Sequence, residues 1–168
     1  KIILFGEHAV VYNRPALAVP VTQVHVDVEV SDSPRKGIWI NAPGIDLHAE
    51  LNALPADHPI GSVILKFYQL FGFPSPSSGR GVRGEGQGEG QGEGLDISIT
   101  STIPVAAGLG SGAAVSVALI RALALHTAHP LTNEQVNELA FEIEKLHHGT
   151  PSGIDNTVIT FAKPVFFV

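Results

Sequence analysis

The stretch IPVAAGLGSGAAVS, residues 103–116, decides how the rest of the chain reads. Before it, Leu95 to Thr100 reads as a strand; from Ser111 to Leu125 the Ala-rich, small-residue run reads as a helix. Gly108, Gly110 and Gly112 stand at the junction. Lacking Cβ atoms, they leave backbone N–H groups unobstructed, and those amides plus a helix N-terminus form an anion site suited to phosphates. The Gly-Lys-Ser/Thr ending of a P-loop is missing, which excludes a Walker arrangement. Gly108, Gly110 and Ala113 also fit the dinucleotide pattern G-x-G-x-x-G/A. That pattern wants a ribose-binding acid about 20 residues later at a strand end. The nearest candidate, Glu134, falls in the first turn of a predicted helix, so a nicotinamide cofactor is disfavoured. Small residues chosen for close helix packing are the plainer alternative for the same glycines.

Outward from this junction, KIILF reads as a short buried strand, and Ala16 to Val21 as another after the turn signal Asn13-Arg14-Pro15. Val24, Val26, Val28 and Val30 alternate with His25, Asp27 and Glu29, the pattern of a strand with one wet face. Gly37 to Asn41 is a further strand candidate, while Ala42 to Pro59 is poorly marked. Ile60 to Phe71 has helical spacing. A third helix is predicted from about Asn133 to His147, with Thr132 and Gln135 at capping-box spacing and Val136, Leu139, Ala140, Ile143 and Leu146 as its apolar stripe. Val158 to Phe161 and Val165 to Val168 read as closing strands. The expected class is α+β, a mixed sheet packed against helices.

At 168 residues the chain is about one domain long and can bury a core. Of its 18 Gly, 8 lie between Gly79 and Gly94, where GEGQGEGQGEG follows a Pro/Ser-rich run. Residues 75–94 therefore read as a flexible surface insertion, the rest having ordinary Gly content. The absence of Cys excludes disulfides, a thiolate zinc site and a cysteine nucleophile. A net charge of −6 without clustered Lys or Arg argues against nucleic acid as a partner. Pro104 to Leu125 is the one long apolar stretch, but its Gly, Ser and Arg121 make it a buried loop and helix rather than a membrane span. No signal pattern opens the chain, so a cytoplasmic location without a membrane partner is the expectation. Lys1 is not expected to be a natural start, nor Val168, inside an apolar run, a natural end.

Two other stretches could carry chemistry. In FEIEKLHHGTPSGIDN, residues 141–156, Glu144 falls at the border of the helix's apolar stripe, a semi-buried place that suits either a metal-binding carboxylate or a merely solvated one. Asp155 follows the turn-forming Pro151-Ser152-Gly153 and reads as a turn or helix-capping acid when taken alone. His147 and His148 face different directions on a helix and are read as structural. At the front, Lys1 opens an apolar strand, and Glu7 and His8 follow in a Gly-led turn, where loop polarity explains them as well as function does.

Taken in order, KIILFGEHAVV, PVAAGLGSGAAV and an acidic helix ending in HGTPSGIDN resemble the mevalonate kinases of the GHMP small-molecule kinase superfamily. The resemblance spans nearly the whole chain apart from the Gly-Glu-Gln insertion and Ala42 to Pro59. It implies that residues 1–168 are the N-terminal, ATP-binding domain of a two-domain kinase, cut at both ends. The expected reaction is transfer of the γ-phosphoryl group of ATP to the primary alcohol of mevalonate, toward isoprenoids. By the same resemblance Gly108, Leu109, Gly110, Ser111, Gly112, Ala113 and Ala114 would wrap the ATP phosphates, and Ser111 and Glu144 would hold Mg²⁺. Asp155 would sit beside the attacking hydroxyl with Lys1 nearby, and Glu7 and His8 would line the mevalonate site. Family members are often homodimers.

Phosphoryl transfer needs positioning and neutralisation of oxygen charge, so backbone donors, a divalent metal on oxygen ligands, a cation and a carboxylate at the nucleophile form a coherent set. One departure stands out. The family loop commonly reads GLGSSAA, and here Gly112 replaces the second Ser. The family's third glycine-rich motif and C-terminal domain have no residues in this chain. A GHMP kinase for another hydroxy acid or a sugar, and a fragment that binds ATP without transfer, are the competing readings.

Overall fold

The structure is a computed structural model that describes residues 1–6, 12, 14–72, 94–104 and 107–167, with the backbone alone at residue 148. Among the described residues seven strands and four α-helices follow one another as β1 (Ile2–Phe5), β2 (Ala16–Val19), β3 (Val26–Ser33), β4 (Gly37–Ala42), β5 (Leu47–Glu50), α1 (Pro59–Leu70), β6 (Gly94–Ser101), α2 (Ser111–His126), α3 (Asn133–His148), α4 (Ile154–Phe161) and β7 (Val165–Phe167). The α+β expectation holds, with the strands in two sheets.

The larger sheet has the order β3-β6-β4-β5. β6 pairs antiparallel with β3 and parallel with β4, and β4 pairs antiparallel with β5. Alternation decides which face is buried. Ile38, Ile40, Leu95, Ile97 and Ile99 turn inward against Ile64 and Phe67 of α1 and Leu119, Ile120 and Leu123 of α2, all in one core. Asp27 and Glu29 face water. α3 lies over α1 and α2 through Val136, Leu139, Ala140 and Ile143, and its start carries the predicted capping box: Gln135 N–H donates to Thr132 Oγ1, and Gln135 Oε1 accepts from Thr132 N–H.

Gly94 is the first residue of β6, so the Gly-rich run ends inside the sheet; residues 75–93 lie outside the described residues. A Cβ at Gly94 would stand 2.1 Å from the carbonyl oxygen of Gly37 and 2.4 Å from that of Arg35. Only glycine fits where β6 enters between β3 and β4.

The smaller sheet, β1-β2-β7, is antiparallel and packs Ala16 and Ala18 on Ile154 and Val158 of α4. Its other face leaves Ile2, Leu4 and Phe166 exposed. Among the described residues no helix is long and apolar enough to cross a membrane.

Several local expectations need correction. Val158 to Phe161 is the end of helix α4, not a strand. Gly153, at φ +76°, starts that helix, and Ile154 and Val158, four residues apart, share the buried face. Leu146 is 64% exposed; the last α3 residue in the core is Ile143, a turn earlier. β2 stops at Val19 before Pro20, which has no N–H to give a ladder, and Val24 precedes β3. The described residues of the loop before α2 are not buried: Pro104, Ala107 and Gly108 are exposed. β5 occupies part of the poorly marked stretch.

Candidate active site

Three chain segments meet at the start of α2. β6 delivers the chain to Ile103, which is buried, and the loop then turns through Gly108 (φ +68°) and Gly110 (φ +75°) into the helix. Gly110 is the N-cap and offers no side-chain oxygen, so the first amides of α2 are left without a side-chain acceptor. Ser111, Gly112, Ala113 and Ala114 form the first turn, with Ala113 in the core.

Against this loop lies Lys1. Its side chain is buried, and its Nζ stands 3.1 Å from Asp155 Oδ1 while donating a 3.2 Å hydrogen bond to Gly108 O. Its backbone nitrogen donates to Leu109 O at 2.8 Å. Asp155 sits in the first turn of α4, half-buried. α4 itself is held to α3 by the buried Asn156, whose Nδ2 donates to Asn137 Oδ1 at 2.8 Å, and its first turn is tied by Thr157 Oγ1 to Gly153 O. Gly110 closes the cluster. A Cβ there would lie 3.0 Å from Asp155 Oδ2, 3.3 Å from Ile159 Cδ1 and 3.4 Å from Lys1 Cγ.

Glu144 reaches the same cluster from α3. Burial pushes its carboxyl up to about 7, the negative charge of Asp155 adds to the rise, and Lys1 opposes it. The structure thus brings together Lys1, Gly108, Leu109, Gly110, Asp155 and Glu144 from distant parts of the sequence. Glu7 and His8 lie outside the described residues.

Two clefts flank the first turns of α2. One is lined by Lys1, Leu109, Ala114, Ala118 and Arg121. The other is mainly apolar and lies against Ser111, Gly112 and Val115, with Ala42, Ile45 and His58 opposite. Sequence reading missed this second wall, since Ala42 to Pro59 carries no motif. Its only local signal is Pro43-Gly44, a turn pair after a strand.

Residues 81–163 match the family described as GHMP kinases N terminal domain. The chain has the fold of a GHMP kinase N-terminal domain. No curated protein matches it by sequence. Among solved structures, this chain is similar to the mevalonate kinase from methicillin-resistant Staphylococcus aureus MRSA252, at 33% identity and a TM-score of 0.64, over 99% of this chain and 49% of that one. It shares its fold with the Methanococcus jannaschii mevalonate kinase (23% identity, TM-score 0.75, 99% of this chain and 50% of that one). It also shares it with a D-glycero-D-manno-heptose 1-phosphate kinase from Bacteroides thetaiotaomicron (16% identity, TM-score 0.71, 95% of this chain and 49% of that one). The chain spans about half the length of each of these relatives.

Proposed function

We propose that the chain is the ATP-binding half of a kinase that transfers the γ-phosphoryl group of ATP to the primary hydroxyl of mevalonate, giving phosphomevalonate. The observation that carries this reading is the ion pair of the buried Lys1 with the half-buried Asp155, seated directly against the glycine loop. The loop from Gly108 to Ala114 supplies backbone donors for the phosphates, and the apolar cleft beside Ser111 and Val115 is suited to the base. Asp155 takes up or orients the proton of the acceptor hydroxyl. Lys1 gives that carboxylate a counterion and, having three N–H donors, keeps one for the moving phosphoryl group. Glu7 and His8 would line the acceptor site.

Mg²⁺ fits the donor set. Among the described residues no cluster of three or more His, Asp or Glu forms a protein cage. Mg²⁺ is usually held by one or two carboxylates together with substrate phosphates. Glu144 and the Ser111 hydroxyl would provide the protein's share, and the bound ion would neutralise charge between the phosphates. Gly112 offers no second hydroxyl, so more of the task falls on Glu144.

Mevalonate as acceptor is supported by the 33% identity to the staphylococcal enzyme. The fold shared with a heptose 1-phosphate kinase favours a second reading, a sugar or sugar phosphate as acceptor. ADP release measured with ATP, Mg²⁺ and a panel containing mevalonate, phosphomevalonate and heptose phosphates separates the two. Mevalonate should give the highest kcat/KM. A sugar in first place refutes the mevalonate assignment, and ATP binding without any transfer restricts this chain to nucleotide binding.

A further inference from the structure

We propose that Lys1 is also the positioning residue of the glycine loop: through its two contacts with loop carbonyls it orients the amides that receive the phosphates. This inference rests on the phosphate site proposed above. A peptide unit is planar and trans, so its C=O and N–H point in opposite directions. Lys1 Nζ draws the carbonyl of Gly108 toward itself, which turns the N–H of Leu109 away. The backbone nitrogen of Lys1 draws the carbonyl of Leu109, which turns the N–H of Gly110 away. Two successive amides are thereby aimed at the side of the loop opposite Lys1.

The backbone angles fit this arrangement. Gly108 and Gly110 have positive φ, while Leu109 between them and Ser111 after them do not. Residues that alternate in this way curl their N–H groups into one concave nest for an anion. Among the described residues no acceptor is paired with the amides of Leu109, Gly110, Ser111 or Gly112. Gly110 is needed for the same reason, since a side chain there would press on the Lys1 stem and on Asp155. Lys1 thus joins the loop to Asp155 through one ammonium group, coupling phosphate binding to the acceptor end of the site.

The two contacts make separable predictions, because only one uses the side chain. In nucleotide-free protein, Lys1→Met should release the peptide between Gly108 and Leu109. The Leu109 amide should then shift or broaden in its ¹H–¹⁵N NMR signal, while Gly110, still held through the backbone nitrogen of residue 1, changes much less. ATP affinity, read by calorimetry, should fall by about tenfold or more, as loss of a well-aimed donor to a charged ligand predicts. Asp155→Asn removes the ion pair but keeps both loop contacts, so the Leu109 signal should stay close to its original position. An unchanged Leu109 amide in Lys1→Met, or an equal change in Asp155→Asn, overturns the inference. Should Lys1→Met not fold, Lys1→Gln carries the same comparison, and its shorter side chain should also release Leu109. If the unsubstituted chain binds no ATP, the proposed function fails, whereas the amide comparison, made without nucleotide, still decides the role of Lys1.

Discussion

Replacing Glu144 by Gln is expected to stabilise the fold at pH 8 and to leave it nearly unchanged at pH 4. Burial, with the charge of Asp155 added to it, moves the Glu144 carboxyl from 4.5 to about 7. Between those values the folded chain holds a proton that the unfolded chain has lost, so stability is highest below about 4.5 and declines as the pH rises to about 7. At ~1.36 kcal/mol per pH unit the full displacement corresponds to about 3 kcal/mol. The side chain is only half-buried, and screening by water reduces this to about 1–2 kcal/mol. Gln keeps the shape and never ionises, so it escapes the loss. Urea unfolding of both proteins at the two pH values reads the effect as a shift in midpoint at constant slope. A stability difference that is the same at pH 4 and pH 8, or a wild type that is the more stable at pH 8, would refute the reasoning. A carboxylate kept where it lowers stability is the pattern of a group retained for function.

Gly110→Ala should cost about 1–2 kcal/mol from the left-handed backbone alone, with an added loss from the Asp155 contact; a denaturation midpoint equal to wild type would contradict the crowding around that residue. Asp155→Asn, in an enzyme of its relatives' full length, should lower turnover by about two orders of magnitude with little change in ATP affinity. Steady-state kinetics showing near-normal turnover would remove Asp155 from the reaction. Phe67→Ala, at a fully buried position between α1 and the sheet, should cost about 3–5 kcal/mol in chemical denaturation. A loss below about 1 kcal/mol would mean that Phe67 is not packed in the core.

Periodicity disclosed the elements that lie with one face on a core. β3, α1 and α3 each carry a repeating apolar pattern that survives in the structure because one face alone is buried. It failed where neighbours rather than pattern decide. The run Val158-Ile159-Thr160-Phe161 is rich in β-branched residues, yet it forms a helix because Ile154 and Val158 are both needed on the β2 face. Glu144 is half-buried, as its place at the edge of the apolar stripe predicts, but nothing in helix spacing brings Asp155 and Lys1 close enough to shift it. The Lys1–Asp155 contact joins the two ends of the chain, and only motif resemblance pointed to it. The second wall of the apolar cleft, from Ala42 to His58, had neither repeat nor motif to announce it.

The order β3-β6-β4-β5 also bears on how the chain reaches its fold. β3 and β4 are linked by residues 34–36 yet do not pair, since the slot between them belongs to β6, which begins at residue 94. During synthesis both strands must therefore wait, with unpaired edges, until β6 emerges and inserts at Gly94. Pairing across that sequence separation makes folding slow relative to a hairpin-built sheet of the same size. Lengthening the connection before β6 adds little to the closure cost, because that cost grows only logarithmically. The vulnerable interval lies between the emergence of β4 and that of β6, and a ribosome-bound chain stopped there should be protease-sensitive and sticky, whereas one extended through α2 should resist cleavage.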